Sequence, residues 1–428
     1  MSESRTAKRL LLSFLLAFLP ASLAAQEADT VADQRQMTLD ELRTFTDVFN
    51  QARRNYVEDV DDLSLLDSAI RGMLAELDPH SGYLSPKQFE ALNDASYGRY
   101  SGIGVSLKTV DSRIVIDAVI DGSPADEAGM NPGDIITSVD GRPVKDRFLP
   151  DAIDDMEGDP GVMIRLTVLP PDGEEREIEL EREYILLPTL DFEMLDRSYG
   201  YFRLTQFHRD SAKHLQEALE SIAADGTELR GLVIDLRDNP GGVLQPAVEI
   251  ADGFLDEGLI VSTRGRNASM QMEFSAHEGQ WLAGVPLVLL VDRGSASASE
   301  VLAGALQDHG RALIVGERTF GKGSVQSVLP LRNGGGIKLT TAHYYTPSGR
   351  SIQAEGILPD VEADAYGETG DDDRIRESDL ERHLGRPDAT DNGVNEQSRP
   401  AMEFPVDEIL EVLDAAELIG TAEDTGSG

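Results

Sequence analysis

The second half of the chain alternates short apolar runs with stretches of helical spacing. Residues 231–236, 286–292 and 312–316 are rich in Val, Ile and Leu, which is typical of buried strands. A periodic helical stretch follows the first run, and the pattern then repeats. This order of elements predicts an α/β core over residues 185–366.

Residues 96–184 follow a different pattern, in which apolar and polar positions alternate over short segments. Strands are predicted at 113–117 and 162–168, and turns are predicted at Asp140-Gly141 and Asp172-Gly173. This period of two predicts a small, mostly β module placed before the α/β core.

Two helices are predicted in the N-terminal helical region, residues 26–95. Thr38 and Glu41 have the spacing of a capping box, which satisfies backbone N–H groups at a helix start. The second helix is predicted over residues 64–77. The apolar residues of the first helix share one face, which we interpret as core packing: Leu42, Phe45, Phe49, Ala52 and Tyr56.

The C-terminal part is predicted as a linker followed by one amphipathic helix. Residues 367–400 contain an Asp triplet with scattered Gly and Pro, which is typical of a flexible acidic linker. Residues 401–428 are predicted to form a helix and tail that dock on the chain's own core or on a sister subunit. We expect self-association, with occupation of a cleft in the core as the alternative. The apolar stripe of this helix comprises Val406, Ile409, Leu410, Leu413 and Ala416.

Residues 1–25 have the pattern of a secretory signal peptide. Basic residues precede an apolar run at 10–19, and small residues at 22–25 offer a cleavage site. The run is short for a membrane span, so an uncleaved anchor in the inner membrane, facing the periplasm, is the alternative. We therefore expect a periplasmic protein.

The composition excludes several classes of function. The chain has 428 residues, 40% of them hydrophobic, which suffices for two or three globular domains. Its net charge of −40 argues against nucleic-acid binding, because phosphates would be repelled. The absence of cysteine excludes disulfides and lipid attachment to a thiol.

Candidate chemistry is concentrated where the run at 286–292 gives way to a helix. Ser295, Ser297 and Ser299 lie among alanines at this turn, where free N–H groups of a helix start can stabilise an oxyanion. Lys322 lies between two glycines after the next strand, and burial there would lower its pKa as a general base requires. A serine nucleophile with a lysine base is predicted, while spacing leaves the choice among the serines open.

Other catalytic motifs are excluded by single positions. Residues 316–322 start like a phosphate-binding loop, but Gly323 stands where that motif needs Ser or Thr to hold magnesium. The sequence has no G-x-S-x-G elbow, no H-E-x-x-H motif and no cysteine ligands for a metal. No metal or other cofactor is therefore expected.

In order along the chain, these motifs resemble those of the bacterial carboxyl-terminal processing (tail-specific) serine peptidases, which are Ser–Lys proteases with a PDZ domain. Besides the serine and lysine segments, the resemblance rests on DPHSGYL at 78–84, YSGIGV at 100–105, GSPA at 122–125, GDII at 133–136, DLRDNPGG at 235–242 and TPSGR at 346–350. It spans about residues 38–363. It implies an α/β fold: a ClpP/crotonase-like protease core with an inserted mostly-β PDZ domain and N-terminal helices.

Position by position, the resemblance implies catalytic roles. It makes Ser297 the nucleophile, Lys322 the general base and Gln326 the residue that orients the lysine. It places the oxyanion site at the backbone N–H groups of Ala298 and of the turn Gly241-Gly242.

The segment Gly102-Ile103-Gly104-Val105 resembles the carboxylate-binding loop of PDZ domains. In such a loop, backbone N–H groups receive the terminal carboxylate of a peptide that adds to the sheet as a strand.

The resemblance implies a periplasmic serine endopeptidase that recognises the C-terminal tails of proteins and processes or degrades envelope proteins. Expected partners are protein substrates, an activating or adaptor protein, and further copies of the chain through the terminal helices; nucleic acid is not one. Two alternatives stay open. One is a non-catalytic PDZ-bearing adaptor of the envelope, against which the retained Ser, Lys and Gln argue. The other is a hydrolase that uses Ser324 without the lysine.

Overall fold

The computed structural model describes residues 37–387 and Leu413, apart from residues 145–152, 154–155, 172, 188, 196–197 and 364–374; Ile153 is included. The chain divides into two compact units, Met1–Ser68 and Ala69–Gly428. The predicted signal peptide, residues 1–25, lies outside the described residues. Within the described part, no helix combines the length and the apolar character needed to cross a membrane.

The described helices and strands are, in order, α1 (Leu39–Asn55), α2 (Asp62–Ala75), β1 (Gly82–Leu84), α3 (Pro86–Ser96), β2 (Arg99–Gly102), β3 (Val105–Val110), β4 (Arg113–Val119), α4 (Pro124–Glu127), β5 (Ile135–Val139), β6 (Arg142–Pro143), β7 (Met163–Leu169), β8 (Arg176–Glu181), β9 (Glu183–Leu186), β10 (Leu190–Met194), β11 (Tyr199–Leu204), α5 (Ser211–Ala224), β12 (Gly231–Asp235), α6 (Leu244–Phe254), β13 (Leu259–Gly265), β14 (Met272–Ser275), β15 (Leu287–Val291), α7 (Ala298–Asp308), β16 (Leu313–Gly316), β17 (Ser324–Pro330), β18 (Gly336–Tyr345) and β19 (Val361–Glu362). Short 3-10 helices lie at Ala268–Met270 and Glu377–Asp379.

The first unit contains α1, which starts where the sequence predicts. The Thr38 N–H donates to Glu41 Oε2 at 2.8 Å, and the Glu41 N–H donates to Thr38 Oγ1 at 3.3 Å, so the capping box is complete. The core-packing interpretation of its apolar face is wrong, because α1 buries no residue and Phe45 and Tyr56 stay 46% and 61% exposed. Periodicity tells which side chains share a face but not whether another element covers that face.

The mostly β module forms its own sheet and core within the second unit. Its sheet has the order β3-β4-β5-β7-β8, with β6 paired to β5, and its core includes Ile116, Ile136 and Leu166. Asp140 and Gly141 have φ values of 48° and 75°, as a tight turn between β5 and β6 requires. The entering strand β2 pairs antiparallel with the leaving strand β9, so the two ends of this inserted module lie together.

The α/β core is built on a six-stranded sheet of order β10-β11-β12-β15-β16-β19. Neighbouring strands are parallel except for β10 and β11. Apolar residues of α5, α6 and α7 join those of the strands in one hydrophobic cluster. A second sheet, β1-β18-β13-β14 with β17 on β18, contributes the segment after Lys322. Because β11, β12, β15 and β16 end at one edge, the loops that follow them meet there.

Leu413 packs in a second hydrophobic cluster of the same sheet. This residue is helical and fully buried, in a cluster with Tyr201, Val233, Leu290 and Val315. The finding agrees with docking of the predicted C-terminal stripe on the chain's own core. The other residues of that stripe lie outside the described residues, so self-association stays a prediction.

The predicted flexible linker, residues 367–400, contains a packed part. Within residues 375–387 the 3-10 helix Glu377–Asp379 forms, and Glu377 is fully buried. The prediction of flexibility is wrong for this part. A polar composition does not reveal that one carboxylate finds buried hydrogen-bond partners elsewhere in the chain.

Candidate active site

The three candidate serines lie where β15 gives way to α7: Ser295 and Ser297 are in the connecting loop, and Ser299 is the second residue of the helix. Ser297 is the last residue before the helix and has φ 57° and ψ −111°, a conformation that non-glycine residues rarely adopt. Such a conformation costs about 1–3 kcal/mol and persists only where the surroundings enforce it. Ser297 is only partly buried, so substrate can approach its side chain.

The two neighbouring serines are fully buried, and the fold uses their hydroxyls. The Ser295 hydroxyl donates to the Leu236 carbonyl at 2.8 Å, and the Ser299 hydroxyl donates to the Asn239 carbonyl at 3.0 Å. Both bonds tie the serine loop to the end of β12 and the turn after it. The geometry therefore favours Ser297, a choice that sequence spacing leaves open.

A buried carboxylate joins the serine loop to the lysine loop. Glu300, in the first turn of α7, has no exposed surface. Its Oε2 accepts the backbone N–H of Ser297 at 2.8 Å and that of Lys322 at 2.9 Å. Its Oε1 accepts the Gly321 N–H at 2.7 Å and the Thr319 hydroxyl at 2.6 Å. One side chain thus sets the spacing between the backbones of the predicted nucleophile and base.

The chemistry of Glu300 depends on its charge. Burial raises its pKa to about 7, although its hydrogen bonds act in the opposite direction. All four hydrogen-bond partners of the Glu300 carboxylate are donors. A proton on the carboxylate would therefore lie against the hydrogen of an N–H or O–H group. Sequence reasoning missed this residue. The available signal was an acidic side chain three positions after Ser297, at the start of a mostly apolar helix.

The loop around Lys322 is closely packed. Gly321 has a φ of 98°, in the left-handed region. A Cβ on Gly323 would collide with the backbone of Gln353, so only glycine fits there. Glycine is therefore favoured at position 321 by the backbone conformation and at position 323 by the close approach of the Gln353 backbone.

The Lys322 amine is shifted towards its neutral form. Burial lowers its pKa, and repulsion by Lys338 lowers it further. Glu377 and Glu300 act in the opposite direction. A lowered pKa is what a lysine needs in order to act as a general base near neutral pH.

The predicted catalytic side chains are not joined to one another. Among the described residues, no hydrogen bond connects the Lys322 amine with Ser297 or with Gln326. Gln326 instead donates from its amide to the Ser324 hydroxyl at 2.9 Å and to the Thr340 hydroxyl at 3.4 Å. Ser324 is 1% exposed and accepts this bond, so it is poorly placed as the alternative nucleophile.

The turn after β12 lies against the serine loop. A Cβ on Gly241, whose φ is 100°, would lie 2.9 Å from Ser297 Cβ and 3.0 Å from Ala298 N. The Gly241 N–H donates to Asn239 Oδ1 at 2.9 Å and is therefore already occupied. Within the described part of the chain, the N–H groups of Gly242 and Ala298 have no acceptor. Of the predicted oxyanion donors, these two are available to a substrate oxygen.

The predicted carboxylate loop, residues 102–105, lines a cavity of about 180 Å³ in the β module. Gly104 has a φ of 84°, and a Cβ there would collide with Ser123. Further apolar surface comes from residues outside the loop: Leu107, Ile153 and Met156.

Known proteins share this arrangement of segments. Residues 198–363 match peptidase family S41, residues 115–170 match a PDZ domain, and residues 16–87 match the activating protease CtpB N-terminal domain. A carboxy-terminal-processing protease of Bartonella bacilliformis is 39% identical over 382 residues, which cover 88% of each chain. A carboxyl-terminal-processing protease of Synechocystis sp. is 40% identical over 301 residues, which cover 68% of this chain and 70% of that protein.

Among solved structures, the photosystem II D1 C-terminal processing protease is 31% identical and covers 76% of this chain and 94% of that chain, with a TM-score of 0.47. The prediction of an α/β peptidase core with an inserted PDZ domain is confirmed by the matched segments and by the sheets described above. An identity of 39% over 88% of the chain is sufficient to assign the family. The chain belongs to peptidase family S41, with the carboxy-terminal-processing proteases, and is a serine-type peptidase.

Proposed function

We propose that the protein is a periplasmic endopeptidase that recognises C-terminal tails of proteins and cleaves peptide bonds with Ser297 as nucleophile and Lys322 as general base. The observation that carries this proposal is the link through Glu300, whose buried carboxylate holds the backbones of both residues. Relatives named as carboxy-terminal-processing proteases support the choice of substrate.

The reaction is acyl transfer to the serine followed by hydrolysis. The neutral Lys322 amine takes the proton of the Ser297 hydroxyl as its oxygen attacks the scissile carbonyl. The N–H groups of Ala298 and Gly242 stabilise the oxyanion of the tetrahedral intermediate. Its collapse expels the amine product, which receives the proton from the lysine. Water then attacks the acyl-enzyme with the lysine again as base, and the mechanism uses no metal or other cofactor.

Gln326 orients Lys322 in the active state. A neutral lysine amine must point its lone pair at the serine, and the Gln326 side-chain carbonyl offers an acceptor for one of its N–H groups. In this structure the Gln326 NH₂ group donates to Ser324 and Thr340, and the side-chain carbonyl does not accept a bond from the Lys322 amine. We propose that the Gln326 side chain rotates before catalysis to make this contact. Binding of an activating or adaptor protein is the trigger that we propose for this rotation.

The PDZ cavity receives the end of the substrate. Residues 102–105, which line the cavity, bind the terminal carboxylate through their backbone N–H groups. Envelope proteins are the proposed substrates, in keeping with the predicted signal at residues 1–25. The exposed apolar face of α1 supports self-association through the terminal helices.

A non-catalytic adaptor is the weaker hypothesis. It would need the PDZ cavity, but it would not need a lysine whose pKa burial lowers. Family membership also favours a peptidase.

Tail recognition is tested with a folded carrier protein that ends in an unstructured tail with an apolar last residue. We compare it with the same carrier ending in a carboxamide and read the fragments by mass spectrometry. We expect cleavage of the amidated carrier to be about tenfold slower, because the amide lacks the charge that the N–H groups bind.

The cavity itself is tested by Leu107→Glu and its matched control Thr109→Glu on the same strand. Leu107→Glu places a carboxylate in the apolar cavity and should raise KM for the tailed carrier. Thr109, which is exposed on the same strand, should tolerate the same change. Equal cleavage of the carrier with a free carboxylate and the carrier with a carboxamide would overturn tail recognition and leave the catalytic assignment untouched.

A further inference from the structure

A second cluster of buried polar side chains adjoins the lysine loop. Its centre is Glu377, which is fully buried and lies beyond the segment that matches peptidase family S41. The Glu377 Oε2 atom is 2.7 Å from His80 Nε2, and its Oε1 atom accepts the side-chain amide N–H of Gln353 at 2.8 Å. The Glu377 backbone N–H donates to the Phe320 carbonyl at 3.2 Å. The catalytic roles described above leave this carboxylate unexplained.

The cluster reaches the lysine loop through Gln353. While its amide nitrogen binds Glu377, its Oε1 accepts the Gly323 N–H at 3.1 Å. Gly323 directly follows Lys322, whose own N–H is bound by Glu300. The backbone of the loop is therefore held at two successive residues, by one chain of contacts from α7 and another from the C-terminal segment.

The Asp-Pro-His-Ser turn near the N-terminus belongs to the same arrangement. Asp78 accepts the His80 N–H at 2.8 Å and the Thr340 hydroxyl at 3.1 Å. The Thr340 hydroxyl is also a group to which Gln326 donates. This turn therefore contacts the surroundings of Gln326 through Thr340, and it contacts the lysine loop through His80 and Glu377.

Charge also connects Glu377 with the base. Burial raises the pKa of Glu377, but hydrogen bonds from an imidazole and an amide outweigh this, so its pKa lies below the usual value and it is ionised at neutral pH. Glu377 raises the pKa of Lys322, as Glu300 does, and Lys338 lowers it. These are the charged groups that act on the Lys322 amine from the elements around it.

We propose that Glu377 is a positioning residue for the general base: through Gln353 it fixes the loop that carries Lys322, and its negative charge acts on the amine. The proposal rests on the assignment of Lys322 as the base. It extends the active site to the segment that follows the family-matched region and gives the Asp-Pro-His-Ser turn a function.

Three variants separate the charge of Glu377 from its geometry. Glu377→Gln removes the charge and keeps the length. The acid limb of the kcat/KM profile should then move to lower pH by up to about one unit, because Lys322 loses a group that raises its pKa. Glu377→Asp keeps the charge and shortens the side chain, so the limb should stay in place while the plateau falls about tenfold. Asp379→Asn, which alters an exposed carboxylate bound to the Arg376 N–H, should change neither.

The pKa of Lys322 can also be measured without activity. In a Ser297→Ala background, the pH dependence of chemical labelling of the Lys322 amine is followed by mass spectrometry. We expect Glu377→Gln to lower this pKa and Asp379→Asn to leave it unchanged.

The outcomes separate this inference from the proposed function. If Lys322→Ala keeps its activity, the base assignment fails and the mechanism fails with it. If Lys322→Ala is inactive but neither the acid limb nor the labelling pKa moves in Glu377→Gln, only the role of Glu377 is overturned. A Glu377→Gln chain that does not fold would overturn it too, because the carboxylate would then serve the fold rather than the base.

Discussion

The serine side and the lysine side of the active site differ in how completely the fold holds them. On the serine side, Ser295 and Glu300 are fully buried and hydrogen-bonded, and Ser297 is kept at a positive φ. On the lysine side, the backbone of Lys322 is held, but Gln326 is bonded to other partners. The proposed nucleophile is therefore held in place by the fold, whereas the proposed base lacks a hydrogen bond from its proposed orienting residue.

This difference places control of the enzyme at the base. The surrounding hydrogen bonds hold Ser297 in a strained backbone conformation. Rotation of the Gln326 side chain exchanges one or two hydrogen bonds, each with a net contribution of about 1 kcal/mol. A bound peptide or partner can shift an equilibrium of that size. We therefore expect substitutions that displace Ser297 to lower activity at least tenfold, and substitutions around Lys322, other than replacement of Lys322 itself, to tune it.

Glu300→Gln breaks the link that both sides share and should have the largest effect. An amide has one acceptor oxygen and one NH₂ group. The NH₂ group would face either the N–H groups of Ser297 and Lys322 or the Gly321 N–H and the Thr319 hydroxyl. Two buried donors would lose their partner at about 1–3 kcal/mol each, so kcat/KM should fall by more than about a hundredfold and Tm should fall as well. Peptide cleavage and calorimetry measure both quantities.

The matched control for that prediction is Glu217→Gln on the exposed face of α5, which should change neither quantity. Wild-type activity in Glu300→Gln would show that the carboxylate does not set the spacing of the catalytic backbones.

Gly241→Ala tests how much change the serine side tolerates. Its φ is 100°, and the added Cβ would lie 2.9 Å from Ser297 Cβ. A displacement of the nucleophile with a cost of about 1–3 kcal/mol should lower kcat/KM about tenfold or more. Gly226 has a φ of 77°, and a Cβ added there would have no atom within 4 Å. Gly226→Ala should therefore cost about 1–2 kcal/mol of stability without loss of activity. Equal activities of the two variants would mean that the serine side is not held rigidly.

Lys338→Met should tune the lysine side through charge. Lys338 lowers the pKa of Lys322, so its removal raises that pKa and moves the acid limb of kcat/KM to higher pH. A shift of about half a unit reduces activity about threefold on the acid limb and leaves the alkaline plateau unchanged. Lys213→Met, an exposed lysine on α5, is the control and should leave the profile as it is. A shift to lower pH in Lys338→Met would argue against Lys322 as the titrating group.

Ser324→Ala should have the smallest effect. It removes one acceptor of the Gln326 amide, so the rotation of that side chain becomes easier and activity should stay within about threefold of wild type. Ser327 lies in the same strand as Ser324, and its hydroxyl is hydrogen-bonded to that of Thr341 in β18, so Ser327→Ala controls for general loosening of β17. Complete loss of cleavage in Ser324→Ala alone would identify it as the nucleophile.

Strands, and the loops that follow them, could be predicted from local pattern. The runs at 231–236, 286–292 and 312–316 correspond to β12, β15 and β16 with boundaries that differ by at most one residue, because each buried parallel strand has its own apolar signal. Neighbouring parallel strands place their carboxyl ends at one edge, which also explains why serine and lysine segments far apart in sequence meet.

The supporting carboxylates could not be predicted in the same way. His80 lies 297 positions from Glu377, and Gln353 lies 24 positions from it, so no spacing in the sequence announces the contact. The sequence around Glu300 indicates only a helix start, and nothing in it shows that the lysine loop packs against this carboxylate. The periodicity of α1 likewise does not show whether another element covers its apolar face, which the structure leaves exposed.

The pairing of Ser297 with Lys322 is best tested by one experiment. An unfolded protein is incubated with the chain from residue 26, with its Ser297→Ala variant and with its Lys322→Ala variant, and fragments are identified by mass spectrometry. Calorimetry confirms that all three enzymes are folded. We expect fragments from the wild type and none from either variant. Continued cleavage by Ser297→Ala or by Lys322→Ala would refute the pair.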